Sequence, residues 1–165
     1  MSDLWEEYYN NINNNNSIII NKDIKNEDDD TLLTLSVCLN NFNLTKLLIE
    51  SGFDINHINL KGESILINFI RCKFDNMGNE TYFNENQNHI LEYLLQNNIN
   101  INYQDLYGKT GLMYAVQAGD LNAIKLLLKY EANKNIVDKN NKKAIDYNCK
   151  DYEFYNEINY LFNFL

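Results

Sequence analysis

The sequence has no proline, only six glycines and three cysteines among its 165 residues. No two glycines form a Gly-x-Gly run, which excludes the glycine-rich loops that bind nucleotide phosphates. The cysteines at positions 38, 72 and 149 are odd in number and widely spaced, so they do not resemble a secreted disulfide framework. No stretch approaches the roughly 20 apolar residues that a membrane-spanning helix needs.

Basic residues are scarce as well: 14 lysines and arginines stand against 23 aspartates and glutamates, and the formal net charge is −9. Such an acidic surface repels a phosphate backbone, which argues against a nucleic acid partner. The N-terminal MSDLWEEYY has neither a basic region nor an apolar run and is not a signal peptide. We therefore expect an intracellular protein, in the cytoplasm and not at a membrane.

Patterns that carry catalysis or bind metals are missing. Zinc sites need closely spaced ligand pairs, but there is no Cys-x-x-Cys, and His57 and His89 are far apart. Cys72 and His89 flank a long polar segment, which leaves a fortuitous metal site or a cysteine–histidine pair as an alternative. Cys38 and Cys149 lie in helical patterns and are predicted to be small core residues. We expect no enzyme activity, no cofactor and no metal.

A repeated pattern of two short helices is what the chain does contain. Its clearest unit begins at Asp105. A first helix is predicted over 110–118, because a threonine that can cap it precedes apolar residues at helical spacing. Gly119 and Asp120 end this helix, and a second helix with one apolar face is predicted over 121–130.

The same unit recurs in a fixed register. LLQNNININ at 94–102 lies 33 residues before LLKYEANKN at 127–135. TLLTLSVCLNNFN at 31–43 aligns with TGLMYAVQAGDLN at 110–122, and LLIESGFDIN at 47–56 repeats the ending. Several partial matches in a fixed register indicate a stack of structural repeats, in which each unit packs on its neighbours.

These residues resemble the ankyrin repeat family, whose units read D-x-x-G-x-T-P-L-H-x-A-A-x-x-G, then a Leu-Leu pair and G-A-D-x-N. The third unit matches this pattern at Asp105, Gly108, Thr110, Leu112, Ala115, Gly119, Leu127, Leu128, Ala132 and Asn135. The second matches it at Gly62, Ser64, Leu66, Leu94, Leu95 and Asn102. The first matches it at Thr31, Leu33, Leu47, Leu48, Gly52, Asp54 and Asn56.

The resemblance, which runs from about residue 26 to the end, implies an all-α solenoid of about four stacked helix–turn–helix units, without β-sheet beyond short turns. The expected divisions are a helical cap at 1–25 and units at 26–58, 59–104, 105–137 and 138–165, the last closing the stack. The family's proline is replaced by Leu32, Ile65, Gly111 and Ala144, and its histidine by Thr34, Ile67, Met113 and Asp146. Because that histidine ties neighbouring turns together by hydrogen bonds, its loss leaves the regularity of the hairpin tips open.

The second unit is about 13 residues longer than its neighbours, with an insertion at 72–86 between its two helices. Loops of this length are usually functional or mobile. One interpretation is neutral expansion, in an asparagine-rich chain, into an exposed mobile loop that can be shortened without loss of the fold. The other is a contact with a partner through its bulky residues, Phe74, Met77, Tyr82 and Phe83.

Both ends of the chain are aromatic. Helical spacing near the N-terminus predicts a helix that caps the first repeat through Leu4, Trp5, Tyr8 and Tyr9. The alternative is that Trp5 is exposed and anchors a partner. Helical spacing near the C-terminus predicts the last second helix, through Phe154, Ile158, Leu161 and Leu165. The remaining aromatic residues there exceed what one face can bury and could form a binding or self-association surface: Tyr152, Tyr155, Tyr160, Phe162 and Phe164.

The resemblance implies a protein–protein interaction module that binds a partner through the concave face made by the turns and first helices. The residues expected on that face are Leu60, Lys61, Glu63, Arg71, Leu106, Tyr107, Lys109, Met113, Gln117, Lys139, Asn140 and Lys142. Tyr107 and Met113 are the expected anchors, since aromatic residues and methionine are enriched in interface cores. The alternatives are a structural fragment, a homo-associating scaffold, or an enzyme with a site near the insertion. We expect a monomer, unless the aromatic C-terminus mediates self-association.

Overall fold

The computed structural model describes residues 6–8, 10–11, 21–75, 85–147 and 152–164. Within these ranges the chain is helical, and extended pairing is limited to two isolated bridges, Lys25–Thr31 and Ile58–Ser64. The helices are α1 (Leu32–Cys38), α2 (Phe42–Glu50), α3 (Ile65–Asp75), α4 (Glu85–Gln96), α5 (Gly111–Ala118), α6 (Leu121–Lys129), a 3-10 helix (Ala144–Tyr147) and α7 (Tyr152–Phe164). The predicted all-α solenoid is confirmed.

The helices form two layers that run along the repeat axis. In the inner layer α1 contacts α3, α3 contacts α5, and α5 contacts the 3-10 helix. In the outer layer α2 contacts α4, α4 contacts α6, and α6 contacts α7. First helices therefore line one side of the stack and second helices line the other, with a hydrophobic core between the layers.

The core contains apolar residues that recur at the same position of each unit. Leu48, Leu94 and Leu127 occupy the same place in three successive units, and all three side chains are fully buried. Each lies on the apolar face of a short outer helix that could not stay folded in water alone. The buried side chains join into a single cluster that extends from Tyr8 to Leu161, so every unit depends on its neighbours.

Polar side chains set the helix ends. The Thr31 and Thr110 hydroxyls accept hydrogen bonds from backbone N–H groups one turn into α1 and α5, and Ser64 does the same for α3. Gly119 closes α5 with a φ of 72°, and the Asp120 carboxylate then caps α6. The break predicted between these two helices is confirmed.

The second unit departs from the predicted boundaries. The helix α3 continues to Asp75 and α4 begins at Glu85, so both ends of the predicted insertion at 72–86 are helical. Amphipathic spacing that continues past Arg71 accounts for the extra turn. Residues 76–84 lie outside the described part of the chain. The proposed contact residues lie there or have side chains that are not described: Phe74, Met77, Tyr82 and Phe83.

A disulfide bond joins Cys38, the last residue of α1, to Cys72 in α3, with 5.4 Å between their Cα atoms. The spacing of the cysteines did not indicate this bond; Cys38 is partly buried and packs against the core, close to the small core residue predicted. The two residues are 34 positions apart, which is close to one repeat length, so stacking brings the ends of two neighbouring inner helices together. Cys149 lies outside the described residues.

The described part of the N-terminus agrees with a packed helix. Residues 6–8 and 10–11 are helical, and Tyr8 is buried in the core cluster. Leu4, Trp5 and Tyr9 lie outside the described residues. The cap over residues 1–25 therefore stays a prediction, supported by Tyr8.

The C-terminal helix α7 has one buried and one exposed face. Ile158 and Leu161 are buried against the preceding unit, as their spacing predicts. Phe154 and Phe162 are partly buried against the same core. The exposed aromatic residues are Tyr155, Tyr160 and Phe164. Leu165 and the Tyr152 side chain are not described.

Candidate functional site

One edge of the solenoid is a row of four hairpin tips, residues 26–30, 59–63, 105–109 and 138–142. In each tip, Oδ1 of the first residue accepts hydrogen bonds of 2.8–3.0 Å from the backbone N–H groups of the third and fifth residues. These first residues are Asn26, Asn59, Asp105 and Asp138. The fourth residue has a positive φ, which glycine, asparagine and aspartate tolerate best; the residues are Asp29, Gly62, Gly108 and Asn141.

Successive tips are also bonded to one another. The Leu60 N–H donates to the Asp28 carbonyl at 2.8 Å, and the Lys139 N–H donates to the Tyr107 carbonyl at 3.0 Å. The Tyr103 hydroxyl donates to the Gly62 carbonyl at 3.2 Å and joins the third unit to the second. The tips are therefore regular, although the family's histidine is absent from all four units.

Two tyrosines fasten the later tips to their helices. The Tyr114 hydroxyl donates to Asp105 Oδ2 at 2.6 Å, and the Tyr147 hydroxyl donates to Asp138 Oδ2 at 2.5 Å. Each tyrosine follows its aspartate by nine residues and comes directly after the position of the missing histidine. The consensus leaves this position open, so sequence comparison with the family overlooks both residues. The repeated Asp-x8-Tyr spacing is the signal that could have revealed them.

These bonds shift the acidities of both partners. The Tyr147 hydroxyl, helped by the backbone N–H groups of Lys142 and Asn140, lowers the pKa of Asp138 to about 2. Burial and the bond to Asp105 raise the pKa of Tyr114 well above its usual range. The Asp138 carboxylate therefore stays ionised at neutral pH and acts as a fixed acceptor inside its tip.

We expect Tyr147→Phe to raise the pKa of Asp138 from about 2 toward its ordinary value of 3.8, because the largest cause of the shift is removed. A carboxylate whose pKa is lower in the folded state than in the unfolded state stabilises the fold at pH values above the unfolded-state pKa. This stabilisation is lost as the pH falls through the folded-state pKa. The difference in free energy of unfolding between parent and variant should therefore become smaller as the pH falls from 4 to about 2. The measurement is an NMR titration of the Asp138 carboxyl carbon with urea midpoints at each pH, and an unchanged titration would contradict the assignment.

A pocket of about 520 Å³ lies between the second and third tips and the inner helices α3 and α5. Two exposed side chains stand at its rim, Leu106 at 60% and Tyr107 at 68% exposure. Six of the residues predicted from sequence line the pocket: Lys61, Glu63, Arg71, Leu106, Tyr107 and Gln117. The structure thus brings together half of the predicted concave set at one place.

The rest of the predicted set divides into three groups. Leu60 is 74% exposed on the second tip, near the pocket. On the fourth tip the exposed residues are Lys139, Asn140 and Lys142. Lys109 is partly buried, and its ammonium donates to Gln117 at 3.0 Å.

Met113 was expected to anchor a partner, but it is only 1% exposed and belongs to the core. The helix phase explains this error. The residues of α5 that face the pocket are Tyr114, Gln117 and Ala118, at i, i+3 and i+4. Met113 lies one residue before that stripe and therefore points into the stack. It cannot serve as a surface anchor.

Cations and aromatic rings lie in the pocket, at Arg71 and Tyr114, and beside it, at Lys109 and Tyr147. Arg71 forms an ion pair with Glu63, and its guanidinium lies 5.8 Å from the centre of the Tyr114 ring. The Lys109 ammonium lies 5.1 Å from the Tyr114 ring and 4.3 Å from the Tyr147 ring. Burial lowers the pKa of Lys109. Such a surface can hold an apolar side chain and carboxylates at once.

Neither a metal site nor a membrane span is found among the described residues. Among them, no group of three histidine, cysteine, aspartate or glutamate side chains is close enough to hold a metal ion. No described helix is both long and apolar enough to cross a bilayer.

Comparison with known proteins identifies the repeat. The family model for ankyrin repeats, in three copies, matches residues 81–163, which is half of the chain. The chain belongs to the ankyrin repeat family. Ankyrin repeats are generally protein–protein interaction modules and are typically non-catalytic.

Curated ankyrin repeat relatives come from distant sources. A segment of 67 residues is 43% identical to a protein of Borreliella burgdorferi and covers 40% of this chain and 16% of the relative. A segment of 91 residues is 32% identical to a protein of Acanthamoeba polyphaga mimivirus and covers 55% of this chain and 19% of the relative. A third relative, from fowlpox virus, is 28% identical over 120 residues, which cover 64% of this chain and 20% of the relative. The chain spans about a fifth or less of the length of these relatives.

Proposed function

We propose that this ankyrin stack is a non-catalytic module that binds a partner protein through its concave face, with the pocket between the second and third tips as the centre. The observation that carries the proposal is the pairing of a concave pocket with two large exposed side chains, Leu106 and Tyr107, at its rim. Exposed apolar groups beside a cavity are typical of interaction sites. The setting we propose is intracellular and cytoplasmic, with neither nucleic acid nor membrane as partner.

The rim can contribute to binding without being needed for the fold. Leu106 and Tyr107 are the second and third residues of their tip, whereas the tip's hydrogen bonds come from the Asp105 side chain and the backbone. Gly108, the fourth residue, has a φ of 77° and leaves no room for a side chain against the next tip. A substitution at Tyr107 should therefore report on binding alone, whereas the Leu106 side chain also packs against Gly62 of the second tip.

We expect Tyr107→Ala to weaken binding by about 30-fold, because an exposed aromatic anchor at the centre of an interface contributes about 2 kcal/mol. Partners would be captured from the source cell on the parent protein, identified, and titrated against parent and variant by calorimetry. Tyr155→Ala, at a 47% exposed aromatic residue on α7, is the matched control and should leave the affinity unchanged. Equal affinity of Tyr107→Ala and parent would place the binding surface elsewhere.

Self-association is the second candidate, and a separate observation favours it. Tyr160 and Phe164 are 61% and 71% exposed on α7, and their ring centres lie 4.6 Å apart. This pair forms an apolar patch on the last outer helix. Light scattering across a concentration series would detect a dimer, and Tyr160→Ser with Phe164→Ser should abolish it if the patch is the contact. A monomer at all concentrations would leave partner binding as the proposed function.

A further inference from the structure

The charge of the row of tips on the proposed concave face changes sign from the first tip to the fourth. The first tip carries four consecutive acidic residues, 27–30, with Lys25 beside them. The fourth tip and the residue after it carry Lys139, Lys142 and Lys143 against the single carboxylate of Asp138. A chain with a formal net charge of −9 therefore presents a positive end on one edge of this face.

The basic groups of the early tips are already paired. Lys61 contacts Asp28 at 2.5 Å, and Lys25 contacts Asp29 at 2.8 Å. The Lys25 ammonium, as the largest cause, lowers the pKa of Asp29. Lys61 of the second tip and Lys25 beside the first tip are thus each matched to a carboxylate of the first tip, which carries more acidic than basic residues.

The later tips show the opposite balance. The Asp105 and Asp138 carboxylates are each occupied by two backbone N–H groups and a tyrosine hydroxyl. Within the described part of the chain, neither Lys139 nor Lys142 forms an ion pair, and both are exposed. Lys109 is held between two rings and likewise has no carboxylate within ion-pair distance there. The Lys139 and Lys142 ammonium groups remain available to a partner, whereas that of Lys109 already donates to Gln117.

From this arrangement we infer the chemistry of the partner, on the basis of the function proposed above. The structure assigns to this face a partner that binds as an extended protein segment. One bulky apolar side chain of the segment contacts Leu106 and Tyr107, and its acidic residues lie over the third and fourth tips. If the segment bound in the reverse direction, its acidic residues would lie over the acidic first tip and be repelled. The charge difference between the tips therefore also sets the direction in which the segment binds. Arg71 lines the pocket with its side chain 44% exposed and can donate to a carboxylate beside the anchor.

A displayed library of random 12-residue peptides would test the inference on the whole chain. Peptides selected on the parent protein should contain an aromatic or large aliphatic residue with acidic residues on one side of it. Labelled copies would then be titrated by fluorescence anisotropy. Lys139→Glu with Lys142→Glu should weaken binding about tenfold at low salt, and added salt should weaken binding to the parent. Lys46→Glu with Lys125→Glu, on the outer helices α2 and α6, changes the net charge by the same amount away from this face and should change the affinity little.

The outcomes separate this inference from the proposed function. Peptides that need Leu106 and Tyr107 but show no acidic preference would overturn the charge inference and leave the binding face standing. Peptides indifferent to Leu106→Ala and Tyr107→Ala would overturn both. Failure to enrich any peptide would overturn the inference of a linear segment, whereas capture of a folded partner that depends on Tyr107 would keep the proposed function.

Discussion

Replacing Leu127 by alanine should lower the melting temperature of the whole stack by roughly 5–20 °C. Leu127 is fully buried in the outer helix α6, and truncation of such a leucine costs about 2–5 kcal/mol. In a domain of this size each kcal/mol shifts the melting temperature by about 2–4 °C. Because one continuous core joins all units, we expect a single cooperative transition that moves as a whole, measured by circular dichroism.

Leu47→Ala provides the matched control for this change. The Leu47 side chain is 47% exposed on α2, one residue before the buried Leu48, so the same atoms are removed without opening a cavity. Its melting temperature should stay close to that of the parent. A Leu127→Ala protein that melts like the parent would show that α6 does not pack as described. A second, separate transition would show that the repeats unfold independently.

Breaking the bond between Cys38 and Cys72 should cost about 3–4 kcal/mol, from the chain entropy that a cross-link over 34 residues removes. This corresponds to a fall of roughly 6–16 °C in melting temperature. The measurement compares the parent with and without a phosphine reductant, with mass spectrometry to confirm that the bond is reduced.

The double variant Cys38→Ser, Cys72→Ser is the control, because reductant should no longer change its melting temperature. A parent protein that melts alike in both states, with the bond shown to be reduced, would contradict the expected stabilisation. The result also bears on where the protein works. A reducing cytosol keeps such cysteines as thiols, so the reduced form would be the relevant one if the expected cytoplasmic location is right.

The fold was largely readable from the sequence because the same core positions recur in each unit, with the second unit lengthened by its insertion. Leu48, Leu94 and Leu127 share one register position, and the spacing that relates them is visible without a structure. Helix boundaries at Gly119 and Asp120 were readable for a similar reason, since the capping chemistry is local. Both signals depend on residues that are near in sequence or that recur at the same position of a unit.

Features that depend on the exact phase or proximity of helices were not readable in this way. Met113 occupies a consensus position near the tips, but a rotation of about 100° per residue turns it from the pocket into the core. Cys38 and Cys72 become neighbours only once two inner helices are stacked. The tyrosine bonds to Asp105 and Asp138 replace a family feature with residues at a position that the consensus leaves open.

The construction of the tips has a consequence for how recognition can change. The shape of each tip depends on its first side chain, the φ of its fourth residue and the backbone, whereas the side chains of its second and third residues are not part of the tip's own network. Mutations at Leu60 and Tyr107 can therefore accumulate at little cost to folding, whereas Lys61 and Leu106 also contact the preceding tip. Specificity can diversify at Leu60 and Tyr107 while the scaffold is inherited unchanged, and the same positions are the natural ones to randomise when engineering a new binder.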